Sequence, residues 1–233
     1  SQSLLGLEEP GLTLEVLLHF GTLLSVFVVF GRDFWQLLRF PRDKFQRRFL
    51  LLLILGVIPT GIMGLLSENF VTGLFKSTLS VGIMLLVTGG ILKLLTLLPV
   101  RDKDVQKMGA KDAVLIGIAQ GLAIIPGISR SGLTITAALW RGLDRATAVR
   151  YSFMLAAPVI LGATLLEVRE LWTAGVESAM LLNYLVGGIV AFISGVLAIK
   201  LFIRLLQGEK FYLFASYCWA AGAVAIAVSL LIG

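Results

Sequence analysis

Long runs of apolar residues, separated by short polar segments, dominate this chain. Six of the runs are close to the ~20 residues that a helix needs to cross the ~30 Å hydrocarbon core of a bilayer. They predict spanning helices at roughly Leu12–Phe30, Phe49–Leu66, Thr78–Leu98, Ala148–Leu166, Ala179–Leu205 and Phe211–Ile232. The pattern therefore predicts an all-α, polytopic membrane protein whose residues 1–233 form a single membrane domain.

One apolar stretch between the third and fourth predicted spans is divided into two short pieces. Ala113–Ile125 would form only about 20 Å of helix, and Leu133–Trp140 is shorter still. Pro126 and Gly127 interrupt the pattern between them. We therefore expect a re-entrant hairpin over residues 113–140, made of two half-helices that enter and leave on the same side of the membrane.

Basic residues are concentrated in alternate loops, which predicts an orientation in the membrane. The segments rich in Lys and Arg are 31–48, 99–112, 141–150 and the turn near Lys210, whereas 67–77 and 167–178 contain one basic residue each. The positive-inside rule places the rich loops in the cytoplasm. Both ends of this chain are then expected outside, and the hairpin is expected to enter from the cytoplasmic side.

The composition agrees with a membrane protein and limits the other classes. The chain is 58% hydrophobic and 15% charged, with a mean hydropathy of +0.94, which is unlike a soluble domain of this size. The net charge of +6 is explained by the loops, so we expect membrane lipids and no nucleic acid as partners.

The single cysteine, Cys218, excludes a disulfide within the chain. The basic and aromatic segment GRDFWQLLRFP either binds anionic lipid or anchors the chain at the interface, and the anchor is the simpler interpretation.

The arrangement of spans suggests an internal duplication. Three spans precede the hairpin and three follow it, and units of three spans have opposite orientations, as in many transporters. We therefore interpret 1–112 as an incomplete first repeat and 113–233 as the second repeat. Symmetry then predicts a first hairpin upstream of Ser1, in agreement with the lack of an initiator Met.

The stretch GLAIIPGISRSGLT, residues 121–134, carries the only charge between Ala113 and Trp140, at Arg130. An arginine at membrane depth costs ~2.5–3.5 kcal/mol on insertion scales, so it needs an anion, a carboxylate or water. Together with hydroxyl groups and the free N–H groups of a half-helix, it would form an anion-binding site for phosphate or a carboxylate. The residues predicted to contact the anion are Gly127, Ser129, Arg130, Ser131 and Thr134. The alternative is that Arg130 pairs with a buried acid such as Glu15.

Glu15 and His19 form a possible secondary site. They are one helical turn apart in the first predicted span and so share a helix face. They could act in acid–base chemistry or metal binding, or form a hydrogen-bonded packing pair, which is the interpretation that we adopt. One Glu and one His do not make a convincing metal site, and the metal ligands stay unknown.

The segment PGISRSGLT, Pro126–Thr134, resembles the P-G-x-S-R-S-x-x-T signature of the undecaprenyl-diphosphate phosphatase family, which is associated with bacitracin resistance. The segments GIAQGLAIIPG and YSFMLAAPVILGAT look like the same family, and the resemblance covers essentially the whole chain. The family's first signature, an E/Q-x-x-x-E pair followed by a Ser-rich Gly-His turn, is absent. We expect it on the upstream hairpin, and His19 is not its histidine.

The resemblance implies hydrolysis of a C55 polyprenyl diphosphate to the monophosphate, in the bacterial inner membrane and from its outer face. It also implies a divalent cation, Mg²⁺ or Ca²⁺. Arg130 would stabilise charge, Ser129 and Ser131 would supply catalytic hydroxyls, and Gly127 and Thr134 would help to bind the phosphate. The base would lie on the missing hairpin. A transporter or flippase for an anionic lipid or solute is the alternative function. The oligomeric state stays open, with a homodimer among the options.

Overall fold

The computed structural model describes residues 12–39, 43–75, 77–97, 101–174, 181–207 and 211–232. Its helices, in chain order, are α1 (Leu12–Val29), α2 (Gly31–Arg39), α3 (Lys44–Phe75), α4 (Thr78–Leu95), α5 (Ala110–Leu122), α6 (Arg130–Trp140), α7 (Arg145–Ala174), α8 (Leu181–Gln207) and α9 (Phe211–Ile232). Within these ranges the only β-type pairing is an isolated bridge between Lys103 and Leu143. The prediction of an all-helical protein is confirmed.

Five of the described helices, α3, α4, α7, α8 and α9, are long and apolar enough to cross a membrane. Each contains or overlaps one of the predicted spans. The surface of α3 is an example of a lipid-facing pattern. Ile54, Ile58 and Ile62 follow one another at four-residue steps and are 47%, 50% and 53% exposed. An exposed apolar stripe of this kind is what a lipid-facing helix presents. The prediction of a polytopic membrane protein is confirmed.

The first predicted span differs from the structure. α1 qualifies as a crossing only together with α2, and the two helices are bent by 75° where they meet. We expected a loop after Phe30, but Gly31–Arg39 is helical. Asp33 in its first turn and Arg39 in its last turn suit the positive and negative ends of a helix dipole. Because of these charges, the sequence analysis interpreted a short amphipathic helix as a loop.

The described helices group into two compact units. The first contains the described residues of 12–35 and 156–202, and the second contains those of 36–155 and 203–232. In the first unit, α1 and α8 approach closely because their facing residues are small. A Cβ atom added to Gly21 would lie 3.2 Å from the Cβ of Ala191, and one added to Gly195 would lie 2.6 Å from Ser25 Oγ. The repeat division near residue 112 stays a prediction.

The second unit contains the hairpin. α5 and α6 are joined by residues 123–129, as the two short apolar pieces predicted. Ile116 in α5 and Ile135 in α6 are completely buried. The half-helix α5 lies close to α3, because a Cβ atom added to Gly117 would be 2.7 Å from Pro59 Cγ. This close packing seats α5 directly against α3 within the second unit.

Candidate functional site

The tip of the hairpin is a tight turn that depends on one glycine. α5 ends at Leu122, and the N–H of Ile128 donates to the carbonyl of Ile125 at 3.1 Å. Gly127 has a φ of +89°, in the left-handed region that residues with a side chain rarely adopt. A Cβ atom at this position would also lie only 2.9 Å from the Cβ of Met84. Gly127 therefore lets the tip bend and lets it approach α4.

Thr88 of α4 holds the tip in place by two hydrogen bonds. Its hydroxyl donates to the carbonyl of Gly127 at 2.9 Å and accepts from the N–H of Ser129 at 3.1 Å. Its side chain is buried, so both backbone groups are satisfied without water. The sequence analysis missed Thr88. The available signal was a single hydroxyl next to two glycines in an apolar helix.

Ser129 caps the half-helix α6. Its Oγ accepts a hydrogen bond from the N–H of Gly132 at 3.2 Å, and its carbonyl accepts from the N–H of Leu133 at 2.9 Å. The prediction that one of the two serines caps this helix is confirmed for Ser129. The N–H groups of Arg130 and Ser131 lie in the first turn, where an α-helix has no internal acceptors.

Arg130 is the first residue of α6 and is partly buried. Within the described ranges, its guanidinium and the hydroxyl of Ser131 form no hydrogen bond or ion pair with a side chain. The alternative partner, Glu15, has a side chain outside the described set. The guanidinium, the hydroxyl and the positive end of α6 together provide the donors that an anion such as phosphate binds.

Thr134 connects the start of α6 to α7. It is completely buried, its hydroxyl donates to the carbonyl of Arg130 at 2.8 Å, and it shares a hydrogen bond of 2.5 Å with the hydroxyl of Ser152. The phosphate contact expected of Thr134 stays a prediction, and the structure adds a positioning role. Ser152 was not anticipated from the sequence.

A second buried polar group lies along α5. Gln120 is 2% exposed, and its Nε2 is 3.4 Å from both Thr60 Oγ1 and the carbonyl of Leu155. Thr60 in turn donates to the carbonyl of Gly117 at 2.9 Å. These contacts join α3, α5 and α7, so they fix the depth at which the hairpin sits between its neighbours.

Asp112 joins the two ends of the hairpin that lie away from the tip. This carboxylate, in the first turn of α5, is 2% exposed. It accepts from Arg141 Nε at 2.8 Å, from the N–H of Gly109 at 2.8 Å and from Lys103 Nζ. Burial by itself would raise the pKa of Asp112, but these three donors outweigh it and hold that pKa below its usual range. In the sequence it resembled an ordinary acid in a basic loop.

The secondary pair and the metal are not tested by these contacts. His19 is exposed on α1, and its predicted partner Glu15 is described only in its backbone. Over the described ranges, His, Cys, Asp and Glu residues form no group of three that could hold a metal ion. The described residues therefore do not fit a divalent-cation site by themselves, and the expected cation stays a prediction.

Comparison with known proteins gives one consistent result. Undecaprenyl-diphosphatase from Halothermothrix orenii is 45% identical over 225 residues, covering 97% of this chain and 86% of the relative. Undecaprenyl-diphosphatase from Alkaliphilus metalliredigens is 39% identical, covering 99% of this chain and 90% of the relative. Undecaprenyl-diphosphatase 4 from Bacillus thuringiensis is 39% identical, covering 94% and 83%. A family model described as bacitracin resistance protein BacA matches residues 1–224. With its signature turn held between α5 and α6, the chain belongs to the BacA family of bacitracin resistance proteins.

Proposed function

We propose that this protein is an integral-membrane phosphatase that hydrolyses undecaprenyl diphosphate to undecaprenyl phosphate and inorganic phosphate. The relatives named undecaprenyl-diphosphatase, up to 45% identical over nearly the whole chain, support the reaction. The observation that carries the proposal is Arg130 at the start of α6, inside an apolar bundle and with no acidic side chain bound to it in the described part.

The hairpin tip suits the terminal phosphate of the substrate. The guanidinium of Arg130 presents a fork of N–H donors, Ser131 adds a hydroxyl, and the first N–H groups of α6 point toward the same end of the helix. In phosphoryl transfer, negative charge spreads over the phosphoryl oxygens in the transition state, and fixed donors stabilise it. We assign Arg130 to this stabilisation.

The chemical step needs a nucleophile and a proton acceptor. Water attacks the terminal phosphorus and gives its proton to the base, the bond from phosphorus to the bridging oxygen breaks, and undecaprenyl phosphate and inorganic phosphate are released. Ser129 uses its Oγ to accept from Gly132, so its proton remains available for donation to phosphate. Within the described residues no carboxylate or imidazole hydrogen-bonds to Ser129 or Ser131. We assign the two serines to phosphate contacts, and we propose that the base lies on the family's first signature.

The location of the reaction is part of the proposal. The alternation of basic loops supports a multi-pass protein of the bacterial inner membrane, and the resemblance supports an active site that opens to the outer face. The apolar surfaces of the spanning helices can accommodate the isoprenoid chain. A divalent cation, Mg²⁺ or Ca²⁺, remains a proposal based on the resemblance, and no step above depends on it.

The test is phosphate release from undecaprenyl diphosphate by the purified full-length protein, including the upstream segment on which we expect the family's first signature. We expect Arg130→Ala to lower the rate by about 100-fold or more, as loss of a transition-state donor does. Arg130→Lys keeps the charge but loses the fork, so its rate should lie between the two. Arg204→Ala is the matched control, since Arg204 is an exposed arginine near the end of α8. A normal rate in Arg130→Ala would remove Arg130 from the reaction.

A transporter or flippase of an anionic lipid is the alternative, because half-helices that meet inside the membrane also occur in transporters. The same assay distinguishes the two functions when it is run in detergent micelles. A micelle has no second compartment, so a transporter produces no phosphate there, whereas a phosphatase does.

A further inference from the structure

An open cavity of about 590 Å³ lies at the base of the hairpin, at the ends of α5 and α6 farthest from Arg130. Its lining residues are Arg101, Asp102, Lys103, Arg141 and Gly142. Hydrolysis at the hairpin tip does not use any of them. The cavity belongs entirely to the second compact unit.

Backbone pairing holds the walls of the cavity together. The N–H of Lys103 donates to the carbonyl of Gly142 at 3.3 Å, and the N–H of Asp144 donates to the carbonyl of Lys103 at 3.0 Å. Gly142 has a φ of +85°, and a Cβ atom there would lie 3.0 Å from Arg101 Cδ. The side chain of Arg101 therefore lies across Gly142, in a position that a larger residue at 142 would obstruct.

Cations outnumber acids around this cavity. Lys103 and Arg141 share the buried carboxylate of Asp112. Asp102 is fully exposed, and among the described residues its one ion pair is a long contact of 3.8 Å with Lys107. Arg101 forms no ion pair within the described ranges. Its guanidinium is left as a fork of donors with the geometry that binds the oxygens of a phosphate group.

The cavity also lies where a lipid headgroup would be. α4 ends at Leu95, before the lining begins, and α7 begins at Arg145, directly after it; both helices are candidate spans. Trp140, the neighbour of Arg141, is 66% exposed, and Leu97 is 72% exposed. An exposed Trp at the end of a spanning bundle is typical of the membrane–water boundary, and exposed apolar residues next to it suit acyl chains.

We propose that this cavity is a second phosphate-binding site, which takes the headgroup of an anionic phospholipid from the leaflet that it faces. Arg101 and the outer edge of Arg141 contact the phosphate, Lys103 adds positive charge, and the acyl chains extend along the exposed apolar surface. The site is separate from the hairpin tip, so it does not depend on the reaction catalysed there.

The experiment measures lipid binding to the purified protein by native mass spectrometry. Phosphatidylglycerol and phosphatidylcholine are titrated separately, and inorganic phosphate is added in a third series. We expect one phosphatidylglycerol to bind about tenfold more tightly than phosphatidylcholine. Arg101→Gln should reduce that affinity ratio about five-fold, in line with the contribution of one cation near an anionic surface. Arg101→Lys should restore part of it.

Two controls make the result specific. Arg204→Gln removes an exposed arginine outside the cavity and should leave the lipid preference unchanged. Arg101→Gln should leave phosphate release unchanged, whereas Arg130→Ala should abolish release and keep the lipid preference. An equal affinity for the two lipids in wild type, or an unchanged preference in Arg101→Gln, would overturn the proposal. Displacement of the lipid by millimolar phosphate would assign the site to free phosphate instead.

Discussion

At the scale of single residues, the hairpin tip depends on a hydroxyl from a neighbouring helix. Thr88 satisfies a carbonyl on one side of Ile128 and an N–H on the other. Because both hydrogen bonds are partly buried, losing the hydroxyl leaves the two backbone groups without a protein partner. The position of Arg130 therefore depends on a residue that does not itself need to touch the substrate.

We predict that Thr88→Val destabilises the protein by about 1–3 kcal/mol, the cost of buried polar groups without partners. Valine keeps the shape of the side chain, so the loss reports on the hydroxyl. Phosphate release should fall as well, because the tip is held less firmly. The measurement is thermal unfolding in detergent, followed by the phosphate assay.

Thr22→Val is the control for Thr88→Val. The hydroxyl of Thr22 only donates to a carbonyl of its own helix, Leu18, at 2.9 Å, so its loss should change stability little. Equal effects of the two substitutions would show that Thr88 has no special role at the tip.

The sequence identified Arg130 and Ser129 because a charge and a capping residue have local signatures. It did not identify Thr88 or Ser152, because a hydroxyl in an apolar helix ordinarily bonds to its own backbone. The partner of Thr88 is 39 residues away in the chain. A contact of that range depends on how α4 and α6 pack, and no local pattern encodes it.

At the scale of helices, the hairpin is fastened at its base by Asp112. The carboxylate bonds to Lys103 before α5 and to Arg141 after α6. Since the folded-state pKa of Asp112 is lowered, its contribution to stability is present above the unfolded pKa of ~3.9 and is lost as the pH falls through the folded value.

We predict that Asp112→Asn lowers stability by about 1–3 kcal/mol at pH 7, less than a fully buried pair because both cations are partly exposed. As the pH falls below about 4, wild type should lose stability because Asp112 becomes protonated. The variant has no carboxylate at this position, so it should lack that part of the pH dependence. Unfolding midpoints of both proteins between neutral and acidic pH measure this. Parallel pH profiles of the two proteins would contradict the assignment.

Close contact between α3 and α5 makes a second prediction for the hairpin. An added Cβ atom at Gly117 would lie 2.7 Å from Pro59 Cγ, and closer still to the carbonyl oxygen of Gly56. Gly117→Ala should therefore destabilise the protein by about 1–3 kcal/mol through overpacking. Gly90→Ala is the matched control, since an added Cβ there meets nothing within 4 Å. Unfolding midpoints should fall for the first variant only.

Run lengths in the sequence were sufficient to predict α5 and α6, because apolar pieces of this size cannot cross a bilayer. They were not sufficient for α2, where charged residues at both ends made a helix look like a loop. The predicted spans also began too late and ended too early at α3 and α7, because both helices continue at each end into polar residues that hydropathy excludes.

At the scale of the whole molecule, the basic loops predict which side each segment faces. Lys107 lies between α4 and α5, and Arg169 lies near the end of α7; both are exposed. In a Cys218→Ala background, Lys107→Cys should be protected in intact cells from a membrane-impermeant maleimide, and Arg169→Cys should react. Labelling of Lys107→Cys from outside would show that the predicted orientation is wrong.

The contact between Thr134 and Ser152 has a consequence for how the chain is made. A ribosome releases α4 before the hairpin and α7 after it, so Thr88 is available to receive the tip while Ser152 is still unsynthesised. Neither half-helix is long enough to be held by the translocon as a crossing of its own. Thr134 can therefore gain its partner Ser152 only after α7 has been made, so the packing of the turn that carries Arg130 is completed late in biogenesis.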